Sequence, residues 1–209
     1  MISLYRAPLA LFLLAVALLP LPAYPYLVTI TSGTKSIFLQ VGTGTMTGGT
    51  FNSGGTPGNN GTINTVTVTV PAASLGTGSQ AMTTNSAVTV SPWDGYAFCP
   101  SVPSQVYLGG FYRTPGTGAN ATLTATSPAS LVSGGNSISF NTISWVSGGN
   151  GDPTPTIPSG TFAAGTVQTL LSIARNSWFE SCLQFNYANA ALVPAGTFTG
   201  RVTYTLTSP

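Results

Sequence analysis

The sequence predicts an all-β fold, on three observations. Apolar and polar residues alternate in several short runs, which is the two-residue period of a strand with one buried face. Turn formers, 25 glycines and 16 prolines, stand between those runs. No helical pattern of about 10–15 residues separates them, as βαβ units would require. No fixed internal period is seen either, which argues against a solenoid or propeller. A β-sandwich or barrel is therefore expected.

Residues 1–23 read as a secretory signal. Arg6 is the only early charge, and Leu9 to Leu19 is an unbroken apolar run. That run falls short of the roughly 20 residues a membrane span needs. Pro20 and Pro22 end it, and Ala23 is a small residue suited to cleavage. The segment after it, Tyr24 to Ile30, places Tyr26, Val28 and Ile30 on one parity in a short strand pattern. Ile37, Leu39 and Val41 alternate again, and a Gly/Thr/Asn-rich stretch from Thr43 to Gly61 reads as a loop or long hairpin. Val66, Val68 and Val70, interleaved with threonines, form a clear strand stopped by Pro71.

Further along, Ala87 to Val90 is a weak strand, and Ser91 to Gly95 is a turn leading to Phe98 and Cys99. Gln105 to Arg113 reads as a strand whose Gly109-Gly110 pair kinks it. Ala121, Leu123 and Ala125 alternate with threonines. Ile138 and Phe140 share one parity but Ile143 and Trp145 the other, so a bulge or corner is expected between them. Gly148 to Ser159 is rich in turn residues. Val167 to Ile173 reads as a strand or a short helix, and Phe179 to Tyr187 carries Leu183, Phe185 and Tyr187 on one parity with Cys182 on the other. The final stretch is the most regular. From Thr197 to Thr207, Phe198, Val202, Tyr204 and Leu206 share one face and threonines with Arg201 the other. A long strand at that position needs partners on both edges or leaves one open.

Charged residues make up only 4% of the chain: Arg6, Lys35, Asp94, Arg113, Asp152, Arg175, Glu180 and Arg201. The net charge of +2 is too small for a phosphate-binding surface, so nucleic acid is not an expected partner. Thr, Ser, Asn and Gly do the solvating, and little charge repulsion opposes self-association.

The two cysteines, Cys99 and Cys182, point to one disulfide in an exported chain, with two buried free thiols as the alternative. A bridge would stabilise by roughly 4–5 kcal/mol through loop closure. With no histidine and three scattered carboxylates, no acid–base constellation is legible and no enzyme or cofactor is expected. Asp94 and Asp152 read as turn residues and Glu180 as a surface carboxylate beside Cys182. Gly148 to Asp152 is one residue short of a calcium repeat and occurs once, so no metal is expected. Asn60-Gly-Thr62 and Asn120-Ala-Thr122 match the N-glycosylation pattern. Trp93, Trp145 and Trp178 are placed better in core or turn packing than on a sugar-stacking surface.

The apolar leader, the Thr/Gly-rich body, the single cysteine pair and the ending Pro194 to Thr207 together resemble bacterial secreted pilins of the chaperone–usher type, nearest the spore-coat-U-like group. That resemblance implies an immunoglobulin-like sandwich missing one strand, with Phe198, Val202, Tyr204 and Leu206 lining the resulting groove. It also implies a donor segment, Tyr26, Val28 and Ile30, which enters a neighbour's groove; the alternative is that this segment pairs within its own sheet. The implied organisation is a signal at 1–23, a strand segment and loop at 24–61, and a sandwich at 62–209. The implied function is a secreted structural subunit of a surface fimbria supporting adhesion or biofilm. Its partners would be other copies or other pilus subunits, a periplasmic chaperone and an outer-membrane usher. The competing class is a self-complete secreted adhesin that binds carbohydrate or a host surface.

Overall fold

The structure, a computed structural model, describes residues 28–100, 104–149 and 157–209. The expected signal, Tyr26 and Asp152 lie outside the described residues. The strands in chain order are β1 (Ser36–Val41), β2 (Met46–Thr47), β3 (Thr56–Pro57), β4 (Val66–Thr67), β5 (Gln80–Ala81), β6 (Thr83–Thr84), β7 (Val106–Arg113) and β8 (Ala121–Thr126). They continue as β9 (Ser130–Ser133), β10 (Asn136–Ser139), β11 (Ile143–Gly148), β12 (Gly160–Thr161), β13 (Val167–Ile173), β14 (Ser177–Tyr187) and β15 (Thr203–Thr207). Every ladder between them is antiparallel.

The chain is an all-β sandwich. Its larger sheet has the order β1-β7-β14-β11-β12, and β5 pairs the end of β14 beyond β7. The smaller sheet has the order β13-β8-β15. Between them lies one apolar core, in which Leu108 of β7, Phe179 and Leu183 of β14 and Trp145 of β11 meet Leu123 of β8, Ile173 of β13 and Leu206 of β15. Strand alternation supplies these residues, since each sits on the inward parity of its strand. β1 pairs along its full length with β7, so the sandwich takes in residues before position 62.

The outer face of the larger sheet is buried as well. Tyr107, Phe111, Trp178, Glu180 and Cys182 occupy the opposite parity of β7 and β14, and all are buried. The segment from Val88 to Cys99 covers them, with Trp93, Phe98 and Cys99 turned inward. Cys99 and Cys182 are joined as a disulfide with their Cα atoms 5.5 Å apart, fastening this cover to the centre of β14.

Several sequence expectations resolve here. The parity change near residue 141 is a turn of 3₁₀-helix, Phe140–Thr142, where the chain leaves the β9–β10 hairpin and enters the larger sheet as β11. Residues 167–173 are strand, with a register shift between Thr169 and Leu171. Residues 87–90 contribute only a bridge from Val90 to Ala97. The Gly109-Gly110 pair does not kink β7, whose register with β1 and β14 runs through both. The glycines instead make room. A Cβ on Gly109 would strike the ring of Tyr107, and one on Gly110 would strike the backbone oxygen of Phe38.

The disulfide constrains a separation of 83 residues and holds the cover in place. Replacing both cysteines, Cys99→Ser with Cys182→Ser, is expected to lower unfolding free energy by about 2–5 kcal/mol. Urea unfolding followed by tryptophan emission reads this directly, and an unchanged midpoint would contradict the fastening role.

Candidate functional site

Among the described residues, β15 is paired on one edge only. Its ladder is with β8, from Thr203–Thr126 to Thr207–Thr122, and its other edge has no ladder partner among the described residues. β1 lies close to β15, and among the described residues its one ladder is with β7. The Lys35 ammonium donates to the main-chain oxygen of Pro209, tying the start of β1 to the end of β15.

The strand expected over 197–207 forms a ladder only from Thr203. Upstream, Thr199 makes an isolated bridge in which Val132 N–H donates to Thr199 O (2.9 Å) and Thr199 N–H to Val132 O (3.0 Å). Gly200 allows this detour, because a Cβ there would stand 2.8 Å from Leu131 and 2.9 Å from Phe140. The alternation survives without the ladder: Phe198, Val202 and Tyr204 are half-buried, Leu206 is buried, and the threonines between are exposed.

Across from this segment runs a second extended one, residues 62–70. Val66, Val68 and Val70 are half-buried and Thr65, Thr67 and Thr69 exposed, yet only Val66–Thr67 form a ladder, with β6. Between the two segments lies a cavity of about 1100 Å³. Phe198, Val202 and Tyr204 form one wall, and Val66, Val68 and Val70 another. Its floor includes Phe140, Phe162 and Phe185, whose rings pack on one another with centroids 5.2 Å and 6.1 Å apart. Arg201 is the one charged residue lining it among those described. Leu206 does not line it and lies in the core opposite Leu123. Desolvation raises the Tyr204 phenol well above its ordinary range, so it resists ionisation even in alkaline solution.

Val28 and Ile30 lie elsewhere, on the outer face of the larger sheet. They are buried against Trp93, Phe111 and Trp178, and the Trp178 indole N–H donates to Val28 O at 2.9 Å. They form no ladder with any strand. Phe51 closes the cluster, its ring centroid 5.1 Å from that of Trp93 and 5.4 Å from that of Phe111.

Glu180 corrects the expectation of a surface carboxylate. It is fully buried under the 88–99 cover, accepting from the Ser91 hydroxyl at 3.0 Å and the Tyr107 hydroxyl at 2.9 Å. The tyrosine reaches it because Gly109, directly opposite Glu180, carries no side chain. The network joins the cover to β7 and β14 without meeting solvent. Asp94 acts as a turn residue, its Oδ1 accepting from Tyr96 N–H at 2.9 Å. Asn60 and Asn120 are both exposed. No three potential metal ligands stand together among the described residues, and none of those residues forms a helix long and apolar enough to cross a membrane.

Sequence reasoning located one wall of the cavity and overlooked the other. Val66, Val68 and Val70 were visible as an alternating run, but nothing in the sequence says that the run lacks a ladder and borders a cavity. The aromatic cluster on the outer face was overlooked because Trp93, Phe111 and Trp178 are far apart in sequence. No family model, no curated protein and no solved structure matches the chain.

Ionising Tyr204 means charging a desolvated group. The fold should therefore be unaffected by this residue below about pH 10, the ordinary phenol value, and lose stability as pH rises past it. Tyr204→Phe is expected to reduce that alkaline loss, measured as the urea midpoint at successive pH values.

Proposed function

We propose that this chain is an exported structural subunit that assembles with further copies by strand complementation, the groove between residues 62–70 and 197–204 accepting an apolar strand. The observation that carries the reading is β15, laddered on one edge among the described residues, beside a cavity of about 1100 Å³ whose apolar lining includes Val66, Val68, Val70, Phe198 and Val202. Water penalises such a surface by about 25 cal/mol per Å² of apolar area. An incoming strand would cover it and supply main-chain hydrogen bonds, while its alternate side chains fill the cavity. The chain's own candidate is the segment holding Tyr26, Val28 and Ile30, which has that alternation. The disulfide is compatible with an oxidising periplasmic or extracellular location. On this reading a periplasmic chaperone would shield the groove before assembly and an outer-membrane usher would direct it, giving a surface fimbria.

The carbohydrate-binding alternative needs an exposed aromatic platform. Trp93, Trp145 and Trp178 are 1%, 4% and 2% exposed, which leaves Tyr96 as the one mostly exposed large aromatic among the described residues. One ring is a poor platform for a glycan, and strand complementation is the better-supported reading.

A mixing experiment tests it. Val202→Asp places a charge in the groove wall, and Val28→Asp with Ile30→Asp removes the apolar donor. Each variant, checked for folding by circular dichroism, is expected to remain monomeric alone. Mixed, they should form a dimer with one intact junction, seen by size-exclusion chromatography with light scattering. A wild type that stays monomeric at high concentration, together with a mixture that yields no dimer, would overturn the proposal.

A further inference from the structure

We infer that the aromatic cluster on the outer face of the larger sheet is a latch that stores the proposed donor segment on its own chain, so that strand exchange waits on its release. The inference rests on the strand-complementation reading and adds regulation to it. Val28 and Ile30 are buried among Trp93, Phe111 and Trp178, with Phe38 and Phe51 packed at the margin. The outer face of the sheet, where they sit, is a different surface from the groove beside β15.

The attachment is of a kind that can be undone without dismantling the sandwich. Residues 28–30 exchange no ladder hydrogen bonds with a strand. They are held by side-chain burial and by the Trp178 indole N–H on the Val28 carbonyl. The cradle itself persists without them, because Phe111 and Trp178 are opposite one another in the β7–β14 ladder, and Phe51 N–H bonds Pro92 O beside Trp93 at 2.9 Å.

The two positions are exclusive, because the same Val28 and Ile30 side chains would fill both. A copy whose Val28 and Ile30 stay in their own cradle cannot lay the Tyr26, Val28 and Ile30 pattern into a neighbour. Donation therefore empties the cradle, and a full cradle holds the copy as an acceptor only.

Two variants and one measurement on the wild type test the latch. Trp178→Phe removes the indole donor and keeps an aromatic ring; Phe51→Ala opens the margin from outside the main sheets. Both are expected to assemble severalfold faster than wild type, with faster amide hydrogen exchange at residues 28–30. Should either variant fold poorly, the unmodified chain still decides. Assembly that vacates the cradle exposes Trp93 and Trp178 and must shift tryptophan emission to the red. Equal assembly rates in all three chains, or wild-type assembly without an emission shift, would overturn the latch. If the groove and donor variants still dimerise on mixing while those results hold, only the latch falls. If that mixture also fails, strand complementation falls and the latch with it.

Discussion

The constraint on which the structure depends is the burial of β7 and β14 on both faces. A strand with one wet face needs apolar residues at every second position, whereas a strand between two packed layers must be compatible with burial at all of them. In β14, Phe179, Leu183, Phe185 and Tyr187 face the sandwich core, while Trp178, Glu180 and Cys182 face outward under a second cover. The larger sheet is therefore a middle layer. Its outer cover has only the isolated Val90–Ala97 bridge of its own, and the disulfide to Cys182 compensates for that lack. The same burial explains why the chain's one glutamate is hydrogen-bonded to Ser91 and Tyr107, since a buried carboxylate without such donors would cost several kcal/mol.

A sheet committed in this way leaves its difficulty at the margin. β1 and β15 each satisfy one edge, and the segment 62–70 covers the adjoining cavity with side chains but hardly with main-chain pairing. The inward valines keep that segment close to the core, while the exposed threonines keep its other face soluble. Apolar burial and ladder formation have come apart at this margin, although they coincide throughout the middle of the sheet.

That separation explains what the sequence could and could not reveal. Alternation identifies which residues turn inward, and it did so for Phe198, Val202, Tyr204 and Leu206 as well as for Leu183, Phe185 and Tyr187. It does not report hydrogen bonding, so residues 197–202 and 66–70 read as strands when the first forms only an isolated bridge at Thr199 and the second a ladder at Val66–Thr67 alone. The parity change after Phe140 was legible because a corner shifts the apolar register. Glu180 was misread because charge usually means surface, and its two hydroxyl partners lie 89 and 73 residues away. The Gly109-Gly110 pair was misread as a kink because a glycine's role in admitting a neighbouring ring, here that of Tyr107, needs the third dimension.

The character of the open edges bears on why they are open. Soluble proteins usually blunt an unpaired strand with lysine, proline or a bulge, because a bare edge templates pairing with another chain. Neither Ser36–Val41 nor Thr203–Thr207 contains a charge or a proline, and the ladder each makes on its satisfied side runs without a register shift. The nearest charges, Lys35 and Arg201, stand just outside the two strands. With charged residues at 4% of the chain, repulsion between copies does not replace the missing protection. An edge this regular, beside a cavity lined in part by valines and phenylalanines, carries none of the usual deterrents to a strand of matching alternation.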